Sequence, residues 1–232
     1  DSGDHNDLYG LVDGALHRIN RGNTETSEII AEDIVAFKSD ANALSVIQTK
    51  VTDEDSVTRY GFIDSQNKLT LFKGELADGP YVIAHGRRKG NETIAVSDSV
   101  STKIYQNIGG RTKTQRGIAS SSKQLSFTGN GRFLIARHGN QNTVIDFEFK
   151  KRFLFAFEGK SISNVRWIND THLSVVIDGM AYITEYDGAN TQLITKADPV
   201  FVPLTNSNSE EFFSIAKNNS RYIIERSSLV AE

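Results

Sequence analysis

Cysteine is absent from this chain of 232 residues. That excludes a disulfide framework, a thiol nucleophile and any cysteine metal site, and it leaves the cellular compartment open. Methionine and tryptophan occur once each and proline three times. No stretch approaches the ~18 consecutive apolar residues of a membrane helix. No signal-peptide pattern opens the chain either. The polar start DSGDHNDLYG reads as a cut end. It leaves room upstream for a targeting segment or anchor, and so for an extracytoplasmic, membrane-anchored protein. No window of a dozen residues keeps the apolar spacing of a helix, whereas alternation and β-branched runs are frequent.

Chemical signatures are missing as well. The five histidines, His5, His17, His85, His138 and His172, are scattered, so no HExxH zinc motif exists. The GxSxG elbow of esterases, the phosphate-binding P-loop and the dinucleotide glycine pattern are absent. Gly109-Gly110 and Gly129-Asn130-Gly131 fall between strands, where tight turns need positive φ. Asp53, Glu54 and Asp55 lack the oxygen spacing of a calcium loop and read as solvated. Asp13-Gly14, Asp178-Gly179 and Asp187-Gly188 are turns by their chemistry. Three Asn-x-Ser/Thr sequons, at Asn91, Asn169 and Asn218, also fall at turns and do not establish secretion.

A repeat is what the sequence does contain. A polar turn leading into a short apolar strand recurs six times. Anchors at Leu8, Leu44, Thr93, Phe133, Leu173 and Phe212 give spacings of 36, 49, 40, 40 and 39 residues. A period near forty built from strands is the signature of a β-propeller. The expected fold class is therefore all-β, a propeller of about six four-stranded blades in a single domain over 1–232. Its repeats span 7–31, 33–75, 80–119, 123–159, 163–196 and 199–229. The first lacks its first strand and the last its fourth. The fifth is clearest, with strands SNVRW, HLSVVI, MAYITEY and TQLIT. In the third, the fourth strand is weak and placed near Arg116 to Ala119. In the sixth, PVFVPL is the first strand. The expected core comprises Phe37, Leu44, Val46, Phe62, Leu71, Val82, Ile94, Phe127, Leu134, Trp167, Val175, Ile183, Phe201 and Phe213.

Residues 163–196 resemble the TolB-like propeller repeat, through Tyr182, Tyr186, Asp187, Gly188, Asn190, Leu193 and Thr195, with Trp167 where that family often has tryptophan. The rest is similar to TolB-like and WD-repeat-like bacterial propellers more loosely. Their SPDG turn is replaced by FKSDANA, FTGNGRF and WINDTHL. The arrangement also resembles the carboxy-terminal propellers of PEGA-domain surface proteins. The resemblance implies a recognition or scaffold domain and brings no catalytic residues or cofactor with it.

Charge is distributed unevenly. Residues 1–80 carry 7 basic and 15 acidic side chains, 81–160 carry 14 and 5, and 161–232 carry 5 and 9. In a meander blade, the loops joining strands one to two and three to four share one face. This places Arg87, Arg88 and Lys89 in one loop, Arg111, Lys113 and Arg116 in a second, and Lys150, Lys151 and Arg152 in a third. All nine are expected on one basic face, with Glu32, Asp33, Asp53 to Asp55 and Asp78 on the other. Such a face suits a protein partner or an anionic cell-surface polymer. Lysines and arginines that merely keep loops soluble would look the same. The sequence pI near 6.0 disfavours nucleic acid. NIGGRTKTQRGIASSSK reads as a long loop ordered only by a partner. Two other functions stay open. One is a hydrolase or glycosidase at a central channel, for which Asp33, Asn164, Arg166 and Asp198 are a thin supply. The other is a small-ligand or ion sensor. Oligomeric state is not legible.

Overall fold

Apolar and polar side chains alternate and are interrupted at short intervals by Asp, Asn or Gly. Such a chain pairs most readily with itself as antiparallel hairpins. The computed structural model describes residues 7–20, 23–40, 43–51, 56–64, 66–72, 76–108, 111–206 and 208–229. Among these every regular element is a strand, and every pairing is antiparallel between neighbours in sequence. The chain divides into two compact units, residues 1–121 and 122–232.

The first unit holds three sheets. Blade one is β1 (Asp7–Val12), β2 (Ala15–Asn20) and β3 (Asn23–Ala31). Blade two is β4 (Ile34–Asp40), β5 (Ala43–Val51), β6 (Ser56–Ile63) and β7 (Leu69–Phe72). Blade three is β8 (Val82–Arg88), β9 (Asn91–Ser97), β10 (Thr102–Ile108) and β11 (Arg111–Ile118). The second unit also holds three. Blade four is β12 (Gln124–Phe127), β13 (Phe133–His138), β14 (Gln141–Asp146) and β15 (Lys151–Ala156). Blade five is β16 (Ile162–Trp167), β17 (His172–Ile177), β18 (Met180–Glu185) and β19 (Gln192–Lys196). Blade six is β20 (Leu204–Thr205), β21 (Glu211–Asn218) and β22 (Arg221–Ser228). The first and last blades are three-stranded, as expected. Asp178-Gly179 makes the expected two-residue turn, with φ of 49° and 78°.

Cores lie between successive blades of a unit. Ile47, Tyr60, Ile94, Val96 and Tyr105 pack between blades two and three, with the Tyr60 and Tyr105 rings 4.6 Å apart. Phe133, Val144, Val165, Leu173 and Val175 pack between blades four and five. Trp167 is partly buried there, stacked on Phe133, and its Nε1 donates to Ser126 O at 3.0 Å. Val176, Ala181, Ala197 and Phe212 pack between blades five and six. Each fully buried large side chain contributes about 1.5–3 kcal/mol by leaving water.

Three local expectations are corrected. First, PVFVPL is not a strand; only Leu204–Thr205 pairs. Pro199 and Pro203 have no N–H for a ladder, and Asp198 Oδ1 accepts from Val200 N at 2.9 Å, which bends the segment. Second, the fourth strand of blade three covers Arg111–Ile118, so TKTQRG is ladder rather than open loop. Gly117 allows this approach, because a Cβ there would sit 2.4 Å from Thr102 O. Third, the core list is only partly right. Leu44, Val46, Phe62, Ile94, Phe127, Leu134 and Val175 are buried, but Phe37, Leu71, Val82, Trp167, Ile183, Phe201 and Phe213 are half-buried. Phe212 takes the interior place expected of Phe213, because adjacent residues of a strand face opposite ways.

Candidate functional site

In blade three the Arg88–Asn91 pair closes a two-residue turn, Lys89-Gly90, with φ of 50° and 76°. Arg87 is exposed, and its Nε lies 3.3 Å from Glu92 Oε1. The other Glu92 oxygen lies 2.6 Å from Nε2 of His85, which is buried and stacked against Phe62. Glu92 thus ties a surface guanidinium to an interior imidazole. Strand β11 runs back from the same end of the sheet. Arg111 pairs with Ile108 there, and the exposed Lys113 pairs with Gln106. Arg116 falls at a register shift opposite the start of β10, toward the other end of the sheet. The side chains of Arg111 and Arg116 lie outside the described residues.

The equivalent end of blade four is the turn Phe147–Lys150. Asp146 organises it: Oδ1 accepts from Glu148 N at 2.7 Å and from Phe149 N at 3.1 Å. The Arg132 guanidinium binds the same carboxylate, with Nη2 2.8 Å from Oδ2 and Nε 3.3 Å from each oxygen. It lies 4.5 Å from the Phe133 ring centre and 5.0 Å from that of Phe149. Burial alone would push the Asp146 carboxyl up. The hydrogen bonds from Arg132, Phe149 and Glu148, with the Arg132 charge, outweigh burial and hold it below its ordinary value. The same pairing raises the Arg132 guanidinium. On this brace Phe149 stands 63% exposed, followed by exposed Lys150, Lys151 and Arg152. Lys150 has a φ of 55°.

The nine cations are therefore distributed differently from the expected loops. Only Lys89 and Lys150 are turn residues, and the other seven lie on β8, β11 and β15. Arg87, Arg88, Lys89, Arg111 and Lys113 gather at one end of blade three. Lys150, Lys151 and Arg152 gather at the matching end of blade four. Of the acidic set, Glu32 and Asp33 form a turn, with a φ of 59° at Asp33, and Asp53 to Asp55 lie outside the described residues. Sequence reading missed Glu92, Arg132, Asp146 and Phe149. Their roles rest on pairings across a hairpin, for which only a charged residue on each side of a turn gives any hint.

Three of the four channel candidates serve local structure, and Arg166 is exposed. Asp33 and Asp198 shape turns, and Asn164 Nδ2 donates to Pro199 O at 2.7 Å. Among the described residues no group of three or more His, Asp or Glu side chains could hold a metal ion. A cleft of about 610 Å³ opens between blades five and six, lined by Ile168, His172, Ile183, Glu185, Gln192 and Leu229.

No protein-family profile and no curated protein matches the sequence. Solved structures do match in shape. TolB from Acinetobacter baumannii aligns with 96% of the chain at a TM-score of 0.54 and 13% identity. The chain spans 60% of that protein's length. An oligogalacturonate lyase in complex with manganese aligns with 98% of the chain and 75% of its own, at a TM-score of 0.64 and 12% identity. The Dos1 propeller aligns with 99% and 67%, at 0.61 and 12%. At such identities the likeness is one of fold. It supports a TolB-like and WD-repeat-like β-propeller and lends nothing to the PEGA-domain resemblance. No helix among the described residues is long and apolar enough to cross a membrane.

Proposed function

We propose that this chain, a β-propeller of the TolB-like and WD-repeat-like kind, is a non-catalytic recognition domain that binds an acidic protein surface. We treat residues 1–232 as one propeller domain. The basic end of blade three, Arg87, Arg88, Lys89, Arg111 and Lys113, and the basic end of blade four, Lys150, Lys151 and Arg152, are each a contact surface for the acidic partner, while Arg116 lies toward the opposite end of its sheet. Phe149 is the observation that carries the reading. A large aromatic ring held exposed by a buried, doubly bonded carboxylate costs little entropy to bind, and basic side chains follow it directly. The backbone supports the same view. Of the nine non-glycine residues with positive φ among the described residues, six are Asp or Asn, which tolerate it, and one is Ser209; the other two are Lys89 and Lys150. Lysine in that conformation is strained, and strain concentrates where a side chain is needed. An extracytoplasmic, anchored location goes with the TolB-like repeat and belongs to the same proposal.

The test uses two immobilised probes, poly-glutamate and heparin, with the full chain and a triple variant, Lys150→Glu, Lys151→Glu and Arg152→Glu. Retention on poly-glutamate that fails at lower salt in the variant supports the reading. Equal retention of variant and parent rejects the surface. Retention on heparin alone replaces the acidic protein by an anionic polymer.

A further inference from the structure

We infer that the chain self-associates as a symmetric dimer through the outer edge of β22. Blade six has the order β20-β21-β22, and among the described residues no strand pairs with the far side of β22. The β21–β22 ladder runs eight residue pairs without a register shift. The outer edge therefore has none of the bulges or prolines that usually blunt an edge strand. It is also apolar where an edge is normally charged: Tyr222, Ile223 and Ile224 are 56%, 40% and 75% exposed.

The backbone parity is fixed by the hairpin. Asn218 pairs with Arg221, and Leu229 N donates to Glu210 O at 2.7 Å. Odd-numbered residues of β22 thus direct their amides and carbonyls at β21. Tyr222, Ile224 and Arg226 direct theirs outward. An antiparallel partner must match outward residues with outward residues.

The sequence of the edge then selects a second copy of itself. Arg221-Tyr222-Ile223-Ile224-Glu225 reads as cation, three apolar residues, anion. Reversed against itself about Ile223, Arg221 meets the partner's Glu225 twice and Tyr222 meets the partner's Ile224 twice. Ile223 meets the partner's Ile223 on the axis. In this register Tyr222 and Ile224 form the hydrogen-bonded pair that parity requires, and paired side chains share a face. Centring on Ile224 instead would set Ile223 against Glu225 and leave Arg221 without its anion. The result is an isologous contact that continues blade six into a six-stranded sheet. It uses none of the basic residues assigned above.

Sedimentation of the full chain across concentrations up to about 200 μM reads the association. Concentration-dependent dimerisation is expected. Arg221→Glu sets two like-charged pairs in each dimer and should weaken association at least about tenfold. The double variant Arg221→Glu, Glu225→Arg should restore it. Ile224→Lys, on an already exposed side chain, should abolish the dimer while leaving thermal unfolding of the monomer unchanged. Amide exchange is the second readout: Tyr222, Ile224 and Arg226 should be protected only in the dimer. A monomer at every concentration overturns the inference. So do protection of those amides within a monomer, which means another segment covers the edge, and a dimer indifferent to both Arg221→Glu and Ile224→Lys.

Discussion

Blades three and four offer cations at the same end of a four-stranded sheet but hold them by different means. In blade three the turn is as short as a hairpin permits, and the charge beside it is partly spent on Glu92 at 3.3 Å. In blade four the turn is longer and rests on Asp146, a carboxylate only 2% exposed that accepts two backbone N–H groups and an arginine. The longer turn is therefore the more firmly built, and it alone carries an exposed aromatic ring. Preorganisation of this turn comes from a buried anion beneath it rather than from brevity.

The largest effect is expected at Asp146. Asp146→Ala leaves the half-buried Arg132 with only the exposed Glu148, 3.4 Å from its Nε, and two amides without their acceptor, and should cost about 3 kcal/mol by thermal or denaturant unfolding. A loss under about 1 kcal/mol would remove the brace from the account. The same carboxylate makes a pH prediction. Asp98 shares the pattern: burial pushes it up, but the amides of Ser101, Val100 and Ala77, with the Lys103 charge, bring it below 3.8. A carboxyl lowered in the folded state adds stability above its unfolded value and forfeits it as pH falls through the folded one. Stability should drop below about pH 3.8, and Asp146→Asn should flatten that limb. An unchanged acid limb in Asp146→Asn would contradict the assignment.

Glu92→Gln should cost less, about 1–2 kcal/mol, because Arg87 is exposed and only the bond to buried His85 is sheltered from solvent. Lys89→Asn should act in the opposite direction and stabilise by about 0.5–1 kcal/mol, since asparagine followed by glycine is the preferred pair for such a turn. It should at the same time weaken retention on poly-glutamate. Smallest of all, Phe149→Ala should alter unfolding by no more than about 0.5 kcal/mol, as expected of an exposed side chain. Its effect should appear in binding. A large stability loss would make Phe149 a packing residue instead.

The strands were legible because alternation and Asp-Gly or Asn-rich turns mark them independently, as in HLSVVI-Asp178-Gly179-MAYITEY. Arg111–Ile118 was hard to read because its pairing rests on backbone and on one tight glycine, while its side chains are polar. PVFVPL misled in the opposite sense: its apolar residues suit a strand, and its two prolines do not. EEFFSI is ambiguous by nature, since two adjacent phenylalanines fit either register, and only the neighbouring blade chooses Phe212. The basic residues were found by charge alone. What lies beneath them, Asp146 under Arg132 and Glu92 between Arg87 and His85, depends on which residues oppose each other across a hairpin.

The most direct measurement is the salt dependence of poly-glutamate affinity for the parent chain and for the Lys150→Glu, Lys151→Glu, Arg152→Glu variant. A steep fall of affinity with salt is expected in the parent and a shallower, weaker one in the variant. Identical slopes and affinities would show that these cations take no part in recognition.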